Sequence, residues 1–200
     1  MGIVNKIDDI ILGKSARFLN DLCDKGGIFV PELSVNVSQE RLCDPALLAS
    51  VSNVTGPFAL SFELLESIAF DEENNRFEWM LDARKERGVG IQIDDFGSGR
   101  ASISALLSIT PERLKIDRHL IMPIVEKESN RQLMRGIVGI ARSMKIKVTA
   151  EGIETMEHAA IARDLGCDRL QGYAFAKPLC EDDFRAYCQS SDTILTGKLA

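Results

Sequence analysis

The chain is short of the residues that usually build metal or redox centres. Histidine occurs only at His119 and His158, which argues against a histidine-rich metal site. Five cysteines, at positions 23, 43, 167, 180 and 188, are odd in number and form no Cys-x-x-Cys pair. That pattern speaks against a disulfide framework or a zinc cluster and points to a reducing compartment. A basic surplus is also missing. Lys and Arg number 24 against 30 Asp and Glu, for a net charge of −6, so bulk charge gives no reason to expect nucleic acid or an anionic membrane as partner. No apolar run approaches the roughly 18 residues of a membrane span. The segment Ile3 to Leu12 is broken by Lys6, Asp8 and Asp9 and does not read as a signal peptide. The expectation is a cytoplasmic protein. No linker, low-complexity run or internal repeat interrupts residues 1–200, which read as a single domain.

What is present is alternation of strands and helices. Apolar residues recur at helical spacing over 3–24, and Gly26-Gly27 follows as a stop. Strand patterns occur at 33–38, 58–64, 89–94, 113–117, 147–152 and 167–173. Helical patterns lie between them: a polar-capped stretch after Ser38, then 73–87 ending at Gly88, then 131–144. Another runs from the cap residue Thr155 to Leu165 before Gly166, and a last one covers about 181–190. Such an order predicts a parallel α/β architecture. The first strand is not followed by Gly-x-Gly-x-x-Gly, which weakens a dinucleotide-binding reading.

Each strand pattern finishes on a residue able to do chemistry: Asn36, Glu63, Asp94 with Asp95, Lys115 with Asp117, Glu151, and Gln171. In a parallel barrel all strand C-termini open on one face. The spacing therefore predicts that Asn36, Glu63, Asp94, Asp95 and Glu151 converge. Carboxylates so close raise one another's pKa unless cations sit among them. Oxygen ligands suit Mg²⁺ or Mn²⁺, and a pair of such ions about 3.5–4 Å apart is a common device for phosphodiester hydrolysis. The loop Gly97-Ser98-Gly99 offers backbone N–H groups to a phosphate without side-chain obstruction. Taken singly, each residue has a plainer role. A strand-end Asp is often a helix N-cap, Asn36 can cap the next helix, Glu63 can pair with a lysine, and Lys115 with Asp117. A second Ile-Asp-Asp, at Ile7 to Asp9 in a helical pattern, is expected to be solvated surface.

The segments "VNVS" (35–38), "FELLES" (62–67), "IDDFGSG" (93–99), "LKIDR" (114–118), "AEGIET" (150–155) and "QGYAFAKPL" (171–179) resemble, in order and spacing, the motifs of EAL-domain proteins. These are bacterial phosphodiesterases that cleave cyclic di-GMP to pGpG. The resemblance covers about residues 1–185 and leaves 186–200 as a tail. It implies a TIM-type (β/α) barrel. Asn36, Glu63 and Asp94 match metal ligands, with Asp94 bridging, Asp95 on the second ion and Asp117 assisting. Glu151 matches a general base or metal ligand. Lys115 would hold the attacking water or a phosphate oxygen, and Gln171 would lie near water and substrate. Glu66 matches a position that steadies the loop after the paired aspartates, and Glu154 has a supporting role.

The motif that names the family, Glu-x-Leu, supplies a further metal ligand upstream of Asn-x-Ser. Residues 1–35 hold one glutamate, Glu32, and no Glu-x-Leu. Barrels of this type run to roughly 250 residues. The expectation is thus an incomplete barrel, with about six of eight strands, N-terminally truncated and inactive or impaired as it stands. A non-catalytic cyclic di-GMP-binding or protein-docking module is the alternative. The strands of Asn36 and Gln171 should flank the gap. Part of an apolar interior should then be exposed, to be covered by a second copy, a partner chain or the first helix. Leu65 and Arg100 replace the family's usual Thr and Tyr.

Overall fold

The computed structural model describes residues 3–42, 44–66, 88–99, 106–107 and 109–190. Six strands, β1 (Glu32–Asn36), β2 (Ala59–Leu65), β3 (Gly90–Phe96), β4 (Arg113–Ile116), β5 (Lys147–Ala150) and β6 (Arg169–Leu170), form one sheet in sequence order. Every neighbouring pair is parallel. Parallel neighbours in chain order require crossover connections, which in such sheets are right-handed. The sheet curls into an open half-barrel. β1 and β6 are its edge strands, so the residues expected to flank the gap do so. The sixth strand is shorter than its sequence pattern, only two residues long.

Alternation within the strands sorts the side chains into two layers. Leu60, Phe62, Leu64, Ile91, Ile93, Leu114, Ile116, Val148 and Ala150 face outward into one core. Helices α3 (Pro45–Ser52), α5 (Glu128–Ser143) and α6 (Met156–Asp164) cover it with Leu47 and Val51, with Met134, Val138 and Ala141, and with Ala159 and Ala162. The cap of α6 is as the sequence predicts, the Thr155 hydroxyl accepting from the His158 N–H.

The inward row is different. Glu32, Ser61, Gln92, Arg113 and Arg169 meet one another inside the curl, as do Glu63, Asp94, Lys115 and Glu151. The lumen is polar, which corrects the expectation of an exposed apolar interior. Closed TIM barrels fill this space with Val, Ile and Leu. A lumen of ion pairs and hydroxyls can face water, so among the described residues the inward face of the open sheet is not apolar.

Helix α1 (Ile3–Gly26) lies along the free edge of β1. A cavity of about 280 Å³ separates them, lined by Asp8, Asp9, Leu12 and Ser15 on one side and Ser34 to Val37 on the other. Leu19 and Leu22 pack with Ile28 and Cys188, and Phe18 meets Phe184 with ring centroids 6.1 Å apart. This second cluster ties α1 to α7 (Glu181–Ser190). The stretch after Ser38 is two helices, α2 (Gln39–Leu42) and α3, because Asp44-Pro45 breaks it and Asp44 caps α3 by accepting from the Ala46 N–H. The guanidinium of Arg41, 2% exposed, pairs with both Asp44 and Asp9. Asp9, its side chain 39% exposed, is at the surface as expected but is also a structural partner of Arg41. The helix anticipated at 73–87 and Arg100 lie outside the described residues. Among those described, no helix is long and apolar enough to cross a membrane.

Candidate metal and phosphodiester site

Like charges next to each other in a strand ordinarily point to opposite faces. Asp94 and Asp95 escape this because β3 is irregular at that point: its pairing with β4 shifts register between Ile93 and Phe96. Asp95 there takes φ 53, a left-handed conformation uncommon for any residue but glycine, with Asp and Asn the least penalised. The bulge turns both carboxylates to the same mouth. Such local strain is often found where geometry serves a site.

Oxygens of Asp94, Asp95 and Glu151 lie within 4.8 Å of one another. Lys115, 6% exposed, stands on β4 among them. Its Nζ is 2.9 Å from Glu63 Oε2, 2.8 Å from Asp94 Oδ1 and 2.9 Å from Glu151 Oε1. The sequence offered Asp117 as its partner, but the ammonium instead ties together β2, β3 and the end of β5. Burial by itself would lower the pKa of this lysine; its contacts with Asp94, Glu63 and Glu151 outweigh that and raise it. Burial pushes the Glu151 carboxyl up; Lys115 opposes this, and Asp94 and Asp95 add to it. Asp95 is also pushed up, by burial and then by the charges of Asp94 and Asp117.

Asp117 is the N-cap of the short helix α4 (Arg118–Ile121), accepting from the His119 N–H at 2.7 Å and lying 2.6 Å from His119 Nδ1. It nevertheless lines, with Asp95, Glu151, Gln171 and Tyr173, a cavity of about 240 Å³ at the mouth. Gln171 reaches that wall through a close backbone approach. A Cβ at Gly172 would sit 2.3 Å from the Ile153 backbone, and the Ile153 N–H donates to the Gln171 carbonyl at 3.0 Å. This contact staples the loop carrying Glu151 to the one carrying Gln171. Glu154 pairs with Arg118 at 3.1 Å on the rim. Asn36 stands in register beside Glu63, exposed at the sheet edge, where it lines the cavity against α1.

Glu66, 2% exposed just beyond β2, accepts the N–H groups of Gly97 at 2.7 Å and Ser98 at 3.1 Å. These two N–H groups are spoken for by a carboxylate, which corrects the expectation that they meet a phosphate. Gly99 is exposed at the tip of the same loop. The residue that sequence reasoning passed over is Glu32, whose carboxylate gathers four partners, Ser61, Gln92, Arg113 and Arg169, below the site. Its position on the polar row of β1 was the available signal.

The donor set fits a hard divalent cation. Three carboxylates, Glu63, Asp94 and Glu151, surround the Lys115 ammonium, Asp95 clusters with Asp94 and Glu151, and Asp117 lines the same mouth; all offer oxygen ligands. Asp94 Oδ1 is buried, and the Lys115 ammonium 2.8 Å away is the partner these contacts give it.

The charge balance has a measurable consequence. In EDTA at pH 7, Asp95→Asn should raise the melting midpoint by roughly 2–4 °C, the response to at most about 1 kcal/mol of relieved, solvent-screened repulsion. Asn also accepts the left-handed backbone. Because the folded pKa of Asp95 is raised, the gain should shrink as pH falls through that raised value and vanish below the ordinary aspartate pKa of about 3.9. Saturating Mn²⁺ should reverse the order of the two proteins. Thermal melts with and without the ion, at several pH values, check both.

An open parallel β/α barrel with acidic side chains at the C-terminal ends of its strands defines the class: the site is built where such folds carry their chemistry. The chain belongs to the EAL domain family, whose model matches residues 1–178. It is 29% identical over 194 residues to cyclic di-GMP phosphodiesterase NbdA of Pseudomonas aeruginosa, covering 93% of this chain and 25% of that protein. It is 30% identical over 183 residues to the bifunctional diguanylate cyclase/cyclic di-GMP phosphodiesterase MucR of the same organism, covering 89% of this chain and 26% of that one. The chain thus spans about a quarter of the length of these relatives. A solved structure of the MucR phosphodiesterase in complex with c-di-GMP superposes with a TM-score of 0.79 at 27% identity, over 92% of this chain and 75% of that one.

Proposed function

We propose that this site holds Mg²⁺ or Mn²⁺ and hydrolyses cyclic di-GMP to pGpG, and that the 200-residue chain alone does so slowly. The observation that carries the reading is that carboxylates from four strand ends share one mouth, Glu63, Asp94 and Glu151 on Lys115 with Asp95 and Asp117 beside them. Asn36, Glu63, Asp94, Asp95 and Asp117 would hold the ions, with Glu151 as a further ligand or a base. Bound there, divalent ions polarise a phosphodiester and lower the pKa of a water. The protein's own part is placement. Lys115 fixes Glu63, Asp94 and Glu151 in one constellation and can turn a proton toward a phosphate oxygen. Glu66 holds the loop that follows Asp94 and Asp95. Gln171 and Tyr173 form the wall against which one phosphodiester would lie, while the open mouth leaves room for the bases. No Glu-x-Leu precedes Asn36 in the 200 residues, so one carboxylate of the family set is not supplied by this chain.

Calorimetry with cyclic di-GMP, with and without Mn²⁺ or Ca²⁺, together with chromatography for pGpG, tests this. Metal-dependent binding is expected, with turnover at least 10–100-fold below that of a family enzyme carrying the motif, the scale on which lost support of a metal site is felt. Absence of metal-dependent binding overturns the site. Binding without any turnover overturns hydrolysis and leaves a cyclic di-GMP-binding module.

A further inference from the structure

Glu32 opens β1, the first edge strand, and Arg169 opens β6, the last. They are 137 positions apart, with four strands between them. Yet Arg169 Nη1 donates to Glu32 Oε2 at 2.6 Å, across the inside of the curl. The other carboxylate oxygen accepts from Ser61 Oγ at 2.9 Å and from Gln92 Nε2 at 2.6 Å. Arg113 Nη2 stands 3.9 Å from Oε2, on a side chain only 10% exposed. One carboxylate therefore touches β2, β3, β4 and β6 at once. The pattern has a consequence in register. Two positions further on stand Glu63, Asp94 and Lys115, on the same face of their strands, and Gln171, just past the end of β6. Each site residue thus sits one inward step, about 6–7 Å of strand rise, above a partner of Glu32.

We propose that Glu32 is the positioning residue of the site: by clasping β1 to β6 and holding the inward side chain beneath Glu63, Asp94, Lys115 and Gln171, it sets the curvature at which the metal-binding carboxylates converge. A complete barrel fixes its curvature by closing the hydrogen-bond ladder. Among the described residues the hydrogen-bond ladder of the six strands does not close, and the ionic clasp joins its two edges instead. Without the carboxylate, Arg113 and Arg169 face each other in the lumen with no counter-ion from β1, and repulsion drives the edges apart. The inference rests on the metal-dependent reading above, and its test separates the two.

The experiment measures Mn²⁺ affinity and amide hydrogen exchange for the full chain and for Glu32→Gln, Arg169→Gln and the double variant, well below their melting midpoints. Arg169 is partly exposed, so its variant remains foldable if Glu32→Gln is not. Glu32→Gln should weaken Mn²⁺ binding 10–100-fold, the range found for residues that orient metal ligands. The double variant should bind no more weakly than Glu32→Gln, since both substitutions break one clasp. Exchange should quicken in β1 and β6 together. Quickening confined to the substituted strand, or Mn²⁺ affinity within threefold of wild type despite a lowered melting point, overturns the clasp. Failure of the wild-type chain to bind Mn²⁺ overturns the site reading instead, and the clasp is then decided by exchange alone.

Discussion

Lys115→Met lowers the melting midpoint of the metal-free protein by roughly 10 °C, the expected response to about 3–5 kcal/mol in a domain of this size. The cause is the company the ammonium keeps. Three carboxylates from three parts of the sheet lie within 2.9 Å of Nζ, and the side chain is almost wholly buried. Methionine matches the stem in volume, so packing changes little and the loss is electrostatic. Glu63, Asp94 and Glu151 then confront one another, with Asp95 beside them. They must either take up protons or move apart. Because the raised lysine pKa lies far above neutrality, the wild-type contribution is fully present at pH 7 and is lost only in strong alkali. The variant should therefore be most deficient near neutral pH and recover on acidification as the carboxyls protonate. Divalent ions should recover it too. Mn²⁺ binding only the folded form stabilises by mass action, so the midpoint of Lys115→Met should climb further with Mn²⁺ than that of the wild type. A midpoint within 3 °C of wild type in EDTA would show that the three carboxylates do not depend on this cation.

That dependence could not be read from the motif. "LKIDR" sets Lys115 two residues from Asp117, an obvious pairing on one strand face, whereas the folded chain gives the lysine to three other strand ends and gives Asp117 to the N–H of His119. Strand existence was plain from alternation, and the convergence of Glu63, Asp94 and Glu151 followed from parallel topology. The meeting of Asp94 and Asp95 did not follow, since a regular strand would have parted them. It needed the register shift and the left-handed backbone at Asp95, which no pattern of residue types announces. The lumen shows a signal that was present but misread. Glu32 and Asn36, Ser61 and Glu63, Gln92 and Asp94, Arg113 and Lys115, Thr149 and Glu151, and Arg169 and Gln171 put polar groups on one parity in every strand. Two polar rows stacked inside a sheet mean a wet interior, and a wet interior needs internal ion pairs to hold its shape.

Asp94→Asn separates metal binding from structure more cleanly than any other single change. Asp94 offers an oxygen to the cluster with Asp95 and Glu151, and its Oδ1 lies 2.8 Å from the Lys115 ammonium. The amide keeps the shape and removes the charge, so Mn²⁺ affinity should fall by about 100-fold or more, beyond the range for residues that merely orient ligands. Hydrolysis of cyclic di-GMP should fall with it. In EDTA the melting midpoint should move by no more than about 2 °C, because the charge lost beside Lys115, which keeps Glu63 and Glu151, is offset by relief of the repulsion Asp94 exerts on Asp95 and Glu151. Asp117→Ala provides the opposite signature. It removes the cap of α4, at a cost of about 1 kcal/mol, and should lower the midpoint by roughly 2–4 °C with the smaller effect on Mn²⁺. Titration of both variants by calorimetry, alongside melts in EDTA, tells the two aspartates apart. An Asp94→Asn protein that binds Mn²⁺ within threefold of wild type would mean that the ion is not held at the paired aspartates. The bulge in β3 would then have no metal to serve.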